Sequence, residues 1–227
     1  MITSTKAIIM TDLKSMIRLQ TWLSPAFPIG AFSYSNGLEA AIDEGYVINA
    51  KSLTTWLTDI LESGTVWNDA VLLAEAWRCA ADKEALDELV LLAQAMSFSS
   101  ERYLETTDQG SAFLLASQAW REDDLLPAKC PLPIAIGVLA ARMDVALEDT
   151  LAAALHAVLS NQIQAALRLM KLGQQGGLGV LASLEDRILD TAQKAANSSL
   201  DDLGSRAIIA DIAAMKHETM QSRIFRS

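Results

Sequence analysis

Apolar residues return every three or four positions along most of this 227-residue chain, and that period dictates helices. Leu53, Trp56, Leu57, Ile60 and Leu61 show it, as do Leu151, Leu155, Val158, Gln162, Ala165 and Leu169 further on. No period-two run of β-branched residues outlasts the helical pattern. Composition reinforces it: Ala (36) and Leu (33) supply 69 residues against 5 prolines, and these two are among the best helix formers. The expected fold is all-α, a single compact multi-helix domain of about ten helices with essentially no sheet.

Punctuation places the elements. A short helix is expected from Leu13, stopped by the Pro25, Pro28 and Gly30 turn. A second is expected over Ser33–Glu44 with Gly45 as its stop, and a third capped by Asn49 or Ser52. Gly64 separates that one from a helix through Trp67, Val71 and Trp77. Helices are predicted at 83–98, at 100–120 and from Pro133 to Met143. A long one opens at Asp144 or Glu148 and runs to Leu172, the next spans Gln175–Ala196, and the last runs from Asp201 to Met220. This divides the chain into a flexible arm (1–12), a helical domain (13–220) and a tail (221–227).

Charge and cysteine use narrow the function classes. Eighteen basic against 28 acidic residues leave −10, a poor match to the phosphates of nucleic acid. Cys79 and Cys130 lie far apart and suit packed thiols in a reducing compartment. Met1 to Arg18 lacks a secretory pattern, and the apolar run Pro131–Ala141 is too short for a bilayer, so a cytoplasmic protein is expected.

Catalytic constellations are missing. There is no Gly-x-x-x-x-Gly-Lys-[Ser/Thr], no Gly-x-Ser-x-Gly and no His-Glu-x-x-His, and the glycines of 173–179 lack the lysine of a phosphate loop. His156, on an apolar helix, predicts a partly buried ring with one hydrogen-bond partner. His217 falls in the last helical turn, where one imidazole beside Glu218 makes only a weak metal candidate. Glu101, Glu105 and Asp108 share a helix face that solvent explains. No tightly bound cofactor and no catalysis are expected.

Three features stand out. Asn161, Gln164, Arg168 and Lys171 form a polar line that is either surface or a binding stripe. Phe27, Phe32 and Tyr34 crowd a turn and are expected to plug the local core. Ser222-Arg223-Ile224-Phe225-Arg226-Ser227 places apolar residues between arginines, and residues 215–227 carry +2 on a −10 chain. That composition favours docking to a partner. Folding back onto the acidic body of the same chain is the alternative.

Several of these segments together resemble the urease accessory protein UreF family. The segment Ser24–Glu39 carries the most specific part. Glu101-Arg102 with Gln109-Gly110, Pro133 with Gly137, Ser160-Asn161, Arg168-Leu169, Leu172-Gly173-Gln174 and His217–Ser227 follow in family order. Leu132, Leu178, Gly179 and Gln221 depart from common family residues. The resemblance implies an all-helical, non-enzymatic homodimer that joins a UreD-like (also UreH-like) protein to a nickel-binding UreG-like GTPase. That assembly places nickel in the urease apoprotein at the expense of GTP. Carried onto this chain, Arg223, Ile224, Phe225 and Arg226 would face the UreD-like partner. Arg168, Lys171 and Gln174 would form a GTPase-facing or dimer-facing stripe. Nickel would be handled only transiently, with GTP and magnesium held by the partner. A direct nickel carrier and a helical adaptor unrelated to urease are the alternatives.

Overall fold

Helix α4 (Thr65–Arg78) is the pillar around which the chain is wound; it packs against α3 (Ala50–Ser63), α5 (Lys83–Ala95), α7 (Leu132–Arg142), α8 (Leu147–Leu169) and α10 (Glu185–Ala196). The computed structural model describes residues 12–121 and 125–227. Apart from Asp12, the expected N-terminal arm lies outside the described residues. Among those described there are eleven α-helices, three 3-10 turns and no strand. The remaining helices are α1 (Leu13–Trp22), α2 (Leu38–Asp43), α6 (Ser100–Ala116), α9 (Gln174–Ser183) and α11 (Ile208–His217). One continuous apolar cluster runs from Leu19 and Trp22 to Phe225.

The closest packing is between α7 and α4. Helix α7 is buried on nearly every side, from Pro133 to Ala140, as expected of a helix that is apolar all round. Gly137 lets the backbones touch: a Cβ there would collide with the Leu73 carbonyl oxygen and lie 3.0 Å from Ala76 Cβ. Local signals set most starts. Asn49 and Ser52 together form a capping box on α3, each side chain accepting from the other's backbone N–H, at 3.0 and 3.1 Å. Asp82 caps α5 and Ser99 caps α6.

Several helices end three or four residues earlier than expected, α6 at Ala116 and α8 at Leu169 among them, and three larger differences change the layout. The second helix begins at Leu38 rather than Ser33, because Asn36 and Gly37 take positive φ of 52° and 77°. A Cβ on Gly37 would also sit 2.7 Å from the Ala214 backbone nitrogen, so α2 and α11 meet there. The helix expected over Gln175–Ala196 is two, broken at Leu184, whose side chain is fully buried at the corner. The break lets α9 lie on α3 and α8 while α10 reaches α4. The last helix starts at Ile208, not Asp201. A turn at Leu200–Asp202 comes first, and the strip after it is tied across the α3–α4 junction. Trp67 Nε1 donates to the Asp202 carbonyl (2.9 Å), Gly204 N–H to Asn68 Oδ1 (2.9 Å) and Arg206 N–H to the Ser63 carbonyl (2.7 Å).

Candidate partner-binding site

The tail does not hang free. Residues 223–227 lie in a groove floored by α2, α6 and the turn before α2, and every carboxylate they meet comes from a helix face. Glu39 of α2 stands among Leu38, Ala40 and Ala41, all buried, and is itself 6% exposed. Its Oε1 accepts the Ile224 N–H at 2.8 Å and its Oε2 the Phe225 N–H at 2.9 Å. Glu101 of α6 takes the Arg223 guanidinium. Glu105, one turn on, accepts the Ser227 hydroxyl at 3.0 Å. The turn closes the other side. Arg226 N–H donates to the Ser33 carbonyl at 2.8 Å, and Ser35 donates to the Ser227 main-chain oxygen through N–H (2.7 Å) and Oγ (2.5 Å). The tail is therefore held by backbone as much as by side chains, which fixes its register.

His217 ties the floor together. Its fully buried ring sets Nδ1 2.7 Å from Glu101 Oε2 and Nε2 3.2 Å from Glu39 Oε2. Glu218, next in the chain, accepts the Ser100 N–H at 2.6 Å and so covers the N-terminus of α6, where a carboxylate is favoured. The two carboxylates lie at opposite ring nitrogens, so the three groups do not converge on one point. Among the described residues no group of three or more His, Cys, Asp or Glu is placed to hold a metal ion.

Phe225 is 4% exposed and belongs to the core cluster. Arg168 lies over its ring, 4.4 Å from the centroid, and donates from Nη1 to the Phe32 carbonyl at 3.1 Å. Asn161, two turns earlier on α8, donates to the Ala31 carbonyl at 2.9 Å. The polar line is thus divided: on α8, Asn161 and Arg168 fasten the turn and the tail while Gln164 is exposed, and Lys171, beyond the end of α8, and Gln174, at the start of α9, are exposed as well. Ile224 projects outward, 60% exposed.

Beneath the tail runs a second charged layer. Arg102 meets Asp69 of α4 at 2.5 Å and Glu105 at 3.5 Å. Burial alone would pull the Arg102 guanidinium down, but Asp69 and Glu105 outweigh it and hold it charged, above the ordinary arginine range. Burial pushes the Glu105 carboxyl up, and Arg102 and the Ser227 hydroxyl offset only part of that. Attraction alone would move the two partners in opposite directions. Both move up because Glu105 has less charge around it to repay its burial. Burial also raises Tyr34, which Arg226 opposes through a side-chain hydrogen bond.

Several sequence expectations change here. The face of Glu101 and Glu105 is not a solvated surface but the receptor of the tail. His156, expected partly buried with one hydrogen-bond partner, is exposed, and His217 is fully buried. Phe32, expected to plug the local core, is 69% exposed, while Phe27 does pack, 5.5 Å from Phe113 between centroids. Of the four tail residues, Arg223, Ile224 and Arg226 are exposed and Phe225 is sunk in its own chain. Sequence reasoning missed Glu39 as a site residue. The signal was there: a lone carboxylate inside an apolar helical run is rarely buried without a partner.

The segments that stood out in the sequence are therefore one structure, an all-helical body whose final residues are locked into a buried carboxylate–imidazole clamp. The UreF family model matches residues 47–185. The urease accessory protein UreF of Agrobacterium fabrum is 49% identical over 219 residues, covering 96% of this chain and 98% of the relative. UreF 1 of Brucella canis is 49% identical over 94% of each chain. UreF of Mesorhizobium japonicum is 48% identical over 96% of this chain and 100% of its own. The chain belongs to the UreF family of urease accessory proteins. Among the described residues no helix is long and apolar enough to cross a membrane.

Proposed function

We propose that this chain serves urease maturation as a non-enzymatic, homodimeric scaffold. It joins a UreD-like accessory protein to a UreG-like GTPase and tunes GTP hydrolysis, so that nickel enters the active site of the urease apoprotein. Nickel is cargo on this reading, and GTP with magnesium sits on the partner GTPase.

The observation that carries the reading is the seated tail. Its backbone is pinned, yet Ile224 stands 60% exposed with the exposed Arg223 and Arg226 around it. An apolar side chain held out between arginines by a locked backbone has its ordering cost already met before docking. Phe225 anchors this presentation from below instead of meeting the partner itself. The helix leading into the tail adds to it. One side of α11 faces inward through Ala210, Ala213, Ala214 and His217, and the other leaves Ile208, Ile209, Ile212 and Met215 exposed. Such an apolar stripe marks an interaction surface. Arg168, Lys171 and Gln174 are assigned to the GTPase or dimer side.

Size-exclusion chromatography with light scattering tests this on mixtures with the cognate UreD-like protein and GTPase. The full chain is expected to assemble. Ile224→Asp and a form ending at Gln221 are expected to lose the UreD-like partner, the first without disturbing the clamp. Unchanged assembly by both variants moves the interface away from the tail, and no assembly by the full chain overturns the scaffold.

A further inference from the structure

Three elements meet at His217 without its side chain being accounted for by packing alone. The ring, fully buried at the end of α11, stands between Glu101 of α6 and Glu39 of α2. Carboxylate oxygens accept and do not donate, so the ring serves both only with an N–H on each nitrogen. With a single N–H, one nitrogen lone pair would face a carboxylate oxygen away from solvent, a contact that destabilises. The charged groups around it are few. Arg223 of the tail closes on the other oxygen of Glu101, and Glu105 with Arg102 continues along α6. Lys216, beside it in the chain, turns outward to Glu44 at 2.8 Å. The two carboxylates that grip the ring are also those that receive Arg223 and the Ile224 and Phe225 amides.

We propose that His217 is a positioning residue: its two ring N–H groups orient Glu39 and Glu101 as the receptor for residues 223–227. Any consequence for partner assembly rests on the scaffold reading above; the seating does not.

The test is hydrogen–deuterium exchange on the full chain, resolved at the Ile224 and Phe225 amides. Gln offers a donor on one side only, so His217→Gln is expected to lower protection of both amides about tenfold, the worth of one hydrogen bond, with the α4 amides unchanged. His217→Lys, whose ammonium donates to both carboxylates, is expected to restore most of it. Unchanged protection in His217→Gln, a loss matched in α4, or no recovery in His217→Lys each overturns the proposal. Should His217→Gln fail to fold, Glu39→Gln decides: it removes one acceptor and is expected to expose the same amides, and full protection there refutes the clamp. A tail released in His217→Gln while UreD-like protein and GTPase still assemble would leave the clamp standing and defeat the tail's role in the scaffold.

Discussion

Glu105 sits where burial and charge pull in opposite directions, and its carboxyl ends above the ordinary value of 4.5. The folded protein therefore holds this proton more tightly than the unfolded chain does. The stability so contributed is full below 4.5 and is lost as pH rises through the folded value. Glu105→Gln keeps the shape and removes the titration. Its stability relative to the native chain is expected to improve as pH rises above 4.5, read by urea unfolding at a series of pH values. A difference that stays flat across that range would mean Arg102 neutralises Glu105 fully. Asp69 still keeps Arg102 company at 2.5 Å when Glu105 is replaced, so the guanidinium is not left without a carboxylate.

Helices in this fold are placed by what they cannot accommodate as much as by what they bury. The α4–α7 contact depends on a missing side chain at Gly137, since the nearest obstacle is a backbone oxygen that cannot rotate aside. Gly137→Ala is expected to destabilise by about 3 kcal/mol, at the upper end of over-packing costs, because the helices must separate. Thermal unfolding checks it, and a loss under about 0.5 kcal/mol, the usual surface range, would mean that α7 shifts freely. At the start of α3 the gain is local. Asn49→Ala removes one half of the capping box and is expected to cost about 1 kcal/mol, with the core contacts of α3 intact. These two costs differ in kind: one is a collision between elements, the other the loss of a bond within one.

For the molecule as a whole, the tail is a late piece of the core. Removing residues 222–227 takes Phe225 out of the apolar cluster and strips partners from Glu39, Glu101 and Glu105 together. The deletion is expected to destabilise by at least about 3 kcal/mol, the cost of emptying a buried phenylalanine site. Circular dichroism on heating reads this, and an unchanged midpoint would show that the groove closes over the gap. For this reason assembly experiments with the shortened form are interpretable only beside Ile224→Asp, which leaves the anchor in place.

The sequence by itself determined the helical class, most helix starts and the segments worth watching. Period, caps and glycine stops act within a few residues, so they are written locally: Asn49 with Ser52, Asp82, Ser99 and Gly45 all act within their own turn. It also marked the tail as adhesive, because Ile224 and Phe225 between arginines are conspicuous in composition alone. It favoured a partner over the chain's own body as the tail's seat, whereas the tail is seated on its own helices. Only the tertiary structure decided that Glu39, Glu101, Glu105 and His217, more than 170 residues apart at the extremes, share one buried clamp. It also decided which histidine is buried and where the 175–196 helix breaks. Such choices depend on which faces meet across the whole fold, and spacing along one helix carries no information about them.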